Sequence, residues 1–164
     1  MRERSNAYVA IDIDGVVANL VRYTCQQLGL DQARWITWNI ADSYGAAQSG
    51  RFATLLEHPE TWVLLPPYPG VREALQRLIA AKQPFFFLSD TPQRFRTLRQ
   101  WWLEYTIGEY GNQCSWGVHF ARASQKPEYC LQYGATHILE DNPDTAAACA
   151  ALGMAAYLVD RPWN

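Results

Sequence analysis

The chain has 164 residues, 49% of them apolar, and a formal charge of −2. That length suits one domain, or a core with one modest insertion, and no stretch approaches the ~18 apolar residues of a membrane helix. The slightly acidic balance argues against duplex nucleic-acid binding, which needs a basic face, and leaves small anionic substrates open if positive charge is concentrated locally.

Residues 1–6 lead straight into an apolar run without the hydrophobic core of a signal peptide. That run, Tyr8-Val9-Ala10-Ile11, reads as a buried strand and ends abruptly in Asp12-Ile13-Asp14-Gly15. Side chains two apart on a strand share a face, so both carboxylates point the same way, at a mutual cost of roughly 1 kcal/mol in water and more in a dry cleft. An Asp-Gly turn explains the pattern locally. A calcium loop does not, because the closing acidic position falls on Val21. A helix is predicted over 16–30, closed by Gly29, followed by an irregular aromatic stretch over 31–44 with Trp35, Trp38 and Tyr44. Residues 46–56 look helical until His58-Pro59, and Pro66-Pro67-Tyr68-Pro69-Gly70 forms a stiff connector.

From there the rhythm is regular: helix 71–82, strand 84–88, helix 92–107, strand 117–120, helix 126–133, strand 136–139, helix 143–152 and strand 154–159. Alternating strands and helices predict an α/β, doubly wound (Rossmann-like) parallel sheet, whose ligands sit outside the carboxyl ends of the strands. Residues 16–69 are too many for an ordinary connection and are read as a small helical cap inserted after strand 1, leaving 1–15 and 70–164 as the core.

The strand tips carry the chemistry. Strand two delivers Ser89 and Asp90, with Thr91 and Pro92 as ordinary capping residues of the next helix. Strand four delivers Glu140 and Asp141, and Asn142 caps the helix that follows. The chain has only two lysines, Lys82 and Lys126, and Lys126 opens a helix, where a cation is disfavoured unless an anion lies nearby. Each residue alone has a local explanation as turn, cap or solvated side chain. Together Asp12, Asp14, Ser89, Lys126, Glu140 and Asp141 describe a hard-cation site of oxygen ligands with one fixed positive charge. Arg94, Arg96 and Arg99 read as a solvated helix face. The tail Arg161–Asn164 follows the last strand and is free to fold over the site or away from it. Cys25, Cys114, Cys130 and Cys149 are scattered without zinc spacing, which suits reduced thiols in a cytoplasm.

In these four motifs (Asp12-Ile13-Asp14-Gly15-Val16, Ser89 after an apolar strand, Lys126, and Leu139-Glu140-Asp141) the chain resembles the haloacid-dehalogenase-like phosphohydrolases. The segment 64–71 and the closing Val159-Asp160-Arg161-Pro162-Trp163-Asn164 are similar to the 5′(3′)-deoxyribonucleotidase-like branch. The resemblance implies Asp12 as a nucleophile forming an aspartyl-phosphate and Asp14 as general acid and then base. It implies Mg²⁺ held by Asp12, the Asp14 backbone carbonyl and Asp141, with Glu140 acting through water, and phosphoryl oxygens held by Ser89 and Lys126. Asp90 departs from the common pattern by adding negative charge beside the phosphate site.

The cap sets the substrate in such enzymes. This one carries Trp35, Trp38, Phe52 and Trp62, which either stack on a nucleobase or form the cap's own core. Its lack of lysine argues against a phosphonatase, and Asp14 argues against a haloacid dehalogenase. The expected activity is therefore 5′-nucleotidase action on (deoxy)nucleoside monophosphates. Sugar phosphates and other small metabolites are the alternative substrates, and a non-catalytic nucleotide-binding regulatory protein is the alternative of another class. The cap is short, so substrate enclosure is either incomplete or completed by a second copy in a homodimer.

Overall fold

A strand that is apolar on both faces needs a neighbour along each edge and a layer of helices over each face. The computed structural model, which describes residues 7–108 and 116–164, supplies both; residues 1–6 and Cys114 lie outside the described residues. β1 (Tyr8–Asp12), β2 (Phe85–Ser89), β3 (Trp116–Phe120), β4 (Ala135–Glu140) and β5 (Ala155–Leu158) form one five-stranded sheet in the order β3-β2-β1-β4-β5. Every pairing is parallel, with Ile11 opposite both Phe87 and Leu139. The chain winds outward from β1 to β3, then returns to the other side of β1 for β4 and β5. The crevice between β1 and β4 is therefore the topological switch point, where such sheets bind ligands.

Strand alternation divides the core into two layers. Ile11, Ile13, Phe85 and Phe87 face one way and pack on Leu75 and Ile79 of α4 (Val71–Ala80) and on Trp102 and Leu103 of α5 (Arg96–Ile107). Ala10, Phe86, Leu88 and Ile138 face the other way, against Cys130 of α6 (Lys126–Gln132) and Cys149 of α7 (Pro143–Ala151). All five residues of β2 are buried, and each of its phenylalanines contributes about 1.5–3 kcal/mol by leaving water. The doubly wound parallel architecture expected from the sequence is the one found. Cys25, Cys130 and Cys149 are free thiols. Among the described residues no helix is long and apolar enough to cross a membrane.

Between β1 and α4 lie α1 (Leu20–Leu28), α2 (Ile40–Tyr44) and α3 (Ala46–Leu56). Asn19 caps α1 by accepting the Arg22 N–H at 3.0 Å, and Gly29 ends it at a left-handed φ of 66°. These helices share a small core of Val21, Cys25, Trp35 and Ile40, with Tyr44 and Phe52 packed against it. The stretch over 31–44, expected to be irregular, contains a 3₁₀ turn at Gln32–Arg34 as well as α2. The helix expected from residue 92 opens as a 3₁₀ turn at Gln93–Phe95 and becomes α-helical at Arg96.

Candidate active site

Asp12 is the last residue of β1 and Glu140 the last of β4, so the sheet itself brings them to the switch point. Lys126 opens α6 and reaches into the same crevice, where it is only 5% exposed. Its Nζ lies 2.7 Å from Asp12 Oδ1 and 3.0 Å from Glu140 Oε2. The anion that a lysine at a helix start requires is thus a pair of carboxylates. Burial opposes the charge on Lys126, but Asp12 and Glu140 outweigh it and raise the ammonium's pKa. Glu140 is fully engaged, since its Oε1 accepts the Asn142 N–H at 3.2 Å.

Carboxylate oxygens of Asp12, Glu140 and Asp141 come within 4.8 Å of one another, and all three residues are buried. Burial raises the pKa of Asp12 well above the usual carboxylate range, against the opposing pull of Lys126. Burial, followed by the charge of Asp12, pushes Asp141 up to about 7. Asp141 Oδ1 is buried without a hydrogen-bond partner among the described residues. Three ionised carboxylates against one ammonium leave an excess of two negative charges. A divalent cation with a preference for oxygen fits both that excess and the orphaned oxygen. Asp12 and Asp141 would hold it, and Glu140 would chiefly hold Lys126.

Gly15 makes room for this arrangement. Its φ of +84° lies in the left-handed region, and a Cβ there would stand 1.8 Å from Asp141 Oδ2. No side chain fits at position 15 while Asp141 stays in place.

Asp14 has a cation of its own. Its Oδ1 accepts from Arg99 Nη2 at 2.7 Å, and the side chain stays 27% exposed. Arg99 corrects the expectation of a solvated helix face: the residue is 0% exposed. Its guanidinium lies 4.9 Å from the Trp62 ring centroid and 5.3 Å from that of Trp102. Such desolvated cation–π contacts are worth ~2 kcal/mol each. Burial lowers the Arg99 pKa and Asp14 opposes that shift. Arg99 thereby fixes where the Asp14 carboxylate sits. A signal for this was present in the sequence, because Arg99 falls on the same stripe as Phe95, Trp102, Leu103 and Thr106, all buried.

Ser89 is buried at the tip of β2, with its hydroxyl 2.8 Å from that of Thr91. Thr91, expected to be a helix cap, is instead the link between Ser89 and Arg99, whose Nε donates to it at 3.4 Å. Pro92 takes the cap position.

Two hollows meet at Asp14 and Trp38. One, of about 230 Å³, is lined by Asp12, Asp14, Asp90, Lys126 and Glu140 with Trp38 at its rim. The other, of about 190 Å³, is lined by Asp14, Asp141, Trp35, Trp38, Phe52 and Trp163. Of the aromatics over 16–69 expected to meet substrate, Trp35, Trp38 and Phe52 therefore line a cavity. Trp62 lines neither of these two hollows: it is buried, donates its indole N–H to Leu56 O at 3.1 Å and stacks on Phe95, so its influence on the site runs through Arg99. A larger hollow of about 430 Å³ beside α4 is lined by no carboxylate and lies apart from this chemistry.

The tail after β5 folds over the site. Arg161 Nε donates to Gly15 O at 2.7 Å, Trp163 Nε1 to Asp141 Oδ2 at 3.0 Å, and Asn164 Nδ2 to Asp141 O at 2.8 Å. Asp90, exposed, also lines the polar hollow, and its Oδ2 accepts the Ala123 N–H at 3.4 Å.

No family model matches the sequence and no curated protein does. Solved structures do match by shape. A haloacid-dehalogenase (HAD) family hydrolase from Deinococcus radiodurans R1, solved with bound phosphate and sodium, is 17% identical with a TM-score of 0.56, over 92% of this chain and 79% of that one. A HAD family enzyme from Bacteroides thetaiotaomicron, solved as a magnesium complex, is 13% identical with a TM-score of 0.54, over 93% and 92%. A protein described as a dehalogenase is 9% identical with a TM-score of 0.59, over 99% and 88%. At these identities the likeness is one of fold, and it extends over nearly the whole chain. The molecule thus has the Rossmann-like α/β fold of the HAD-superfamily hydrolases.

Proposed function

We propose that this protein is a Mg²⁺-dependent phosphomonoester hydrolase that acts on nucleoside monophosphates through an aspartyl-phosphate on Asp12. The observation that carries the reading is that Asp12 and Asp14 line one polar hollow, the first paired with Lys126 and the second held by Arg99. A carboxylate at the floor of a cleft, beside a fixed ammonium, can approach a phosphate dianion that bare carboxylates would repel. Asp12 attacks phosphorus and forms the acyl-phosphate bond as the ester P–O bond breaks. Asp14, partly exposed, gives its proton to the departing alkoxide and then takes one from the water that cleaves the acyl-phosphate. Mg²⁺ held by Asp12 and Asp141 would neutralise charge on the phosphoryl oxygens and allow the two anions to meet. Glu140 keeps Lys126 in the cleft, and Ser89, whose hydroxyl lies 2.8 Å from that of Thr91 at the tip of β2, would donate to a phosphoryl oxygen in this reading.

The substrate class rests on the second hollow. Asp14 must touch the leaving group, and next to Asp14 the cleft opens into walls of Trp35, Trp38 and Phe52. Aromatic walls favour a planar leaving group, at ~1–3 kcal/mol for a stacked base. Residues 16–69, which contribute these walls, act in this reading as the cap.

Phosphate release from a panel of nucleoside monophosphates and sugar phosphates, with and without Mg²⁺ and beside Asp12→Asn, tests the reading. Turnover should need the ion and Asp12 and should favour nucleotides. Equal turnover of both classes, unchanged by Trp35→Ala and Trp38→Ala, would refute the substrate. Nucleotide binding without any phosphate release would refute the enzyme.

A further inference from the structure

We propose that Trp163 is at once the residue that positions Asp141 and a specificity-determining wall of the leaving-group pocket, the two roles falling to separate parts of one indole. The segment that carries it is anchored on both sides. Before it, Val159 N–H donates to Glu140 O at 2.8 Å, and Arg161 donates to Gly15 O while its guanidinium lies 3.7 Å over the Tyr68 ring. After it, Asn164 Nδ2 bridges Asp141 O and Val159 O at 2.8 and 2.9 Å. The backbone that carries the indole is therefore anchored by contacts that do not involve the ring.

The first role belongs to the N–H. It donates to Asp141 Oδ2 at 3.0 Å and leaves Oδ1 as the buried, unpartnered oxygen. A neutral donor suits a carboxylate meant for a cation, because it fixes the group's orientation without cancelling the charge the cation needs. An arginine or lysine at this place would cancel it.

The second role belongs to the ring. Its centroid lies 6.5 Å from that of Trp38 at an interplanar angle of 60°, and both indoles line the pocket beside Asp14. One wall of this pocket thus comes from the segment between β1 and α4, and the other from the far end of the chain. This role deepens the nucleotidase reading and rests on it; the first role needs no turnover at all.

The test compares Trp163→Phe, which keeps a ring and loses the donor, with Trp163→Leu, which loses both. Two quantities are read: Mg²⁺ affinity by titration calorimetry, and, at saturating Mg²⁺, the ratio of kcat/KM for a nucleoside monophosphate to that for glycerol phosphate. Both variants should bind Mg²⁺ roughly 10–100-fold more weakly, the usual effect of losing a partner of a metal ligand. The ratio should hold in Trp163→Phe and fall roughly 5–100-fold in Trp163→Leu, the size of one aromatic stacking contact. Trp163→Phe binding Mg²⁺ as tightly as the wild type, or a wild type that binds none, overturns the positioning role. A ratio unchanged in Trp163→Leu overturns the specificity role. A wild type that hydrolyses no phosphate ester overturns the nucleotidase reading and the specificity role with it, while weaker Mg²⁺ binding by Trp163→Phe would still uphold the positioning role.

Discussion

Removing divalent ions should make the stability of this protein fall with rising pH in a range where most proteins gain or hold it. Asp141 stands at about 7 in the fold, raised first by burial and then by the charge of Asp12. An unfolded aspartate titrates near ~3.9. Between these values the folded state keeps a proton that the unfolded chain has released. The unfolded state binds fewer protons, so stability declines as pH rises, by about 1.4 kcal/mol per unit. Over the interval this amounts to about 4 kcal/mol, a large share of the ~5–15 kcal/mol that holds a domain together. The loss is absent below pH ~4 and complete just above pH ~7. Mg²⁺ held by the ionised site, as proposed, should restore what deprotonation removes. Guanidinium unfolding followed by circular dichroism, on metal-stripped protein across this range, gives the curve. Asp141→Asn is the control in which the slope from this group disappears, and Mg²⁺ should close the gap between low and neutral pH. A metal-free wild type whose stability stays level or climbs relative to Asp141→Asn between pH ~5 and ~7 would refute the electrostatic account of the site.

Other perturbations separate the parts of the cleft. Asp12→Asn should abolish phosphate release yet raise the melting temperature of the metal-free protein at neutral pH, because it removes a buried charge whose pKa is already driven up by burial. Gly15→Ala should fold with a loss of at least ~1–2 kcal/mol from its left-handed backbone and bind Mg²⁺ more than tenfold more weakly, since the new Cβ and Asp141 claim the same space; calorimetry and thermal unfolding read both effects. Arg99→Leu should cost about 2–3 kcal/mol, less than the ~3–5 of a wholly buried pair because Asp14 is partly exposed. It should lower kcat more than it weakens Mg²⁺ binding, and Arg99→Lys should recover only part of the loss. Asp14→Asn should keep Mg²⁺ affinity near that of the wild type while turnover drops at least ~100-fold, as expected for loss of a general acid and base.

What could be read in advance depended on the range of the interaction. β1 and β2 announce themselves as short apolar runs ending in Asp12-Ile13-Asp14-Gly15 and Ser89-Asp90, because a parallel strand is buried on both faces whatever its neighbours are. Lys126 was conspicuous as a cation where a helix dipole disfavours one. α2 went unseen because five residues cannot show a helical period. In the sequence Thr91 has a nearer explanation, a cap, whereas in the fold its hydroxyl links Ser89 to Arg99. Arg99 was assigned to water by its charge although its position on the buried stripe of α5 contradicted that; the deciding partners, Asp14 and Trp62, are far away in sequence. The hold of Trp163 on Asp141 spans 22 residues and follows no period, so only the folded chain reveals it.

The clamp on Lys126 has a practical side. An amine reacts with activated esters only when neutral, and two carboxylates keep this one charged and enclosed. The chain's other lysine, Lys82, is exposed in the turn between α4 and β2, at the amino-terminal edge of the sheet and away from the cleft. Of the two side-chain amines, dyes, tethers and sensor surfaces should therefore take Lys82 and leave the cleft open to solvent.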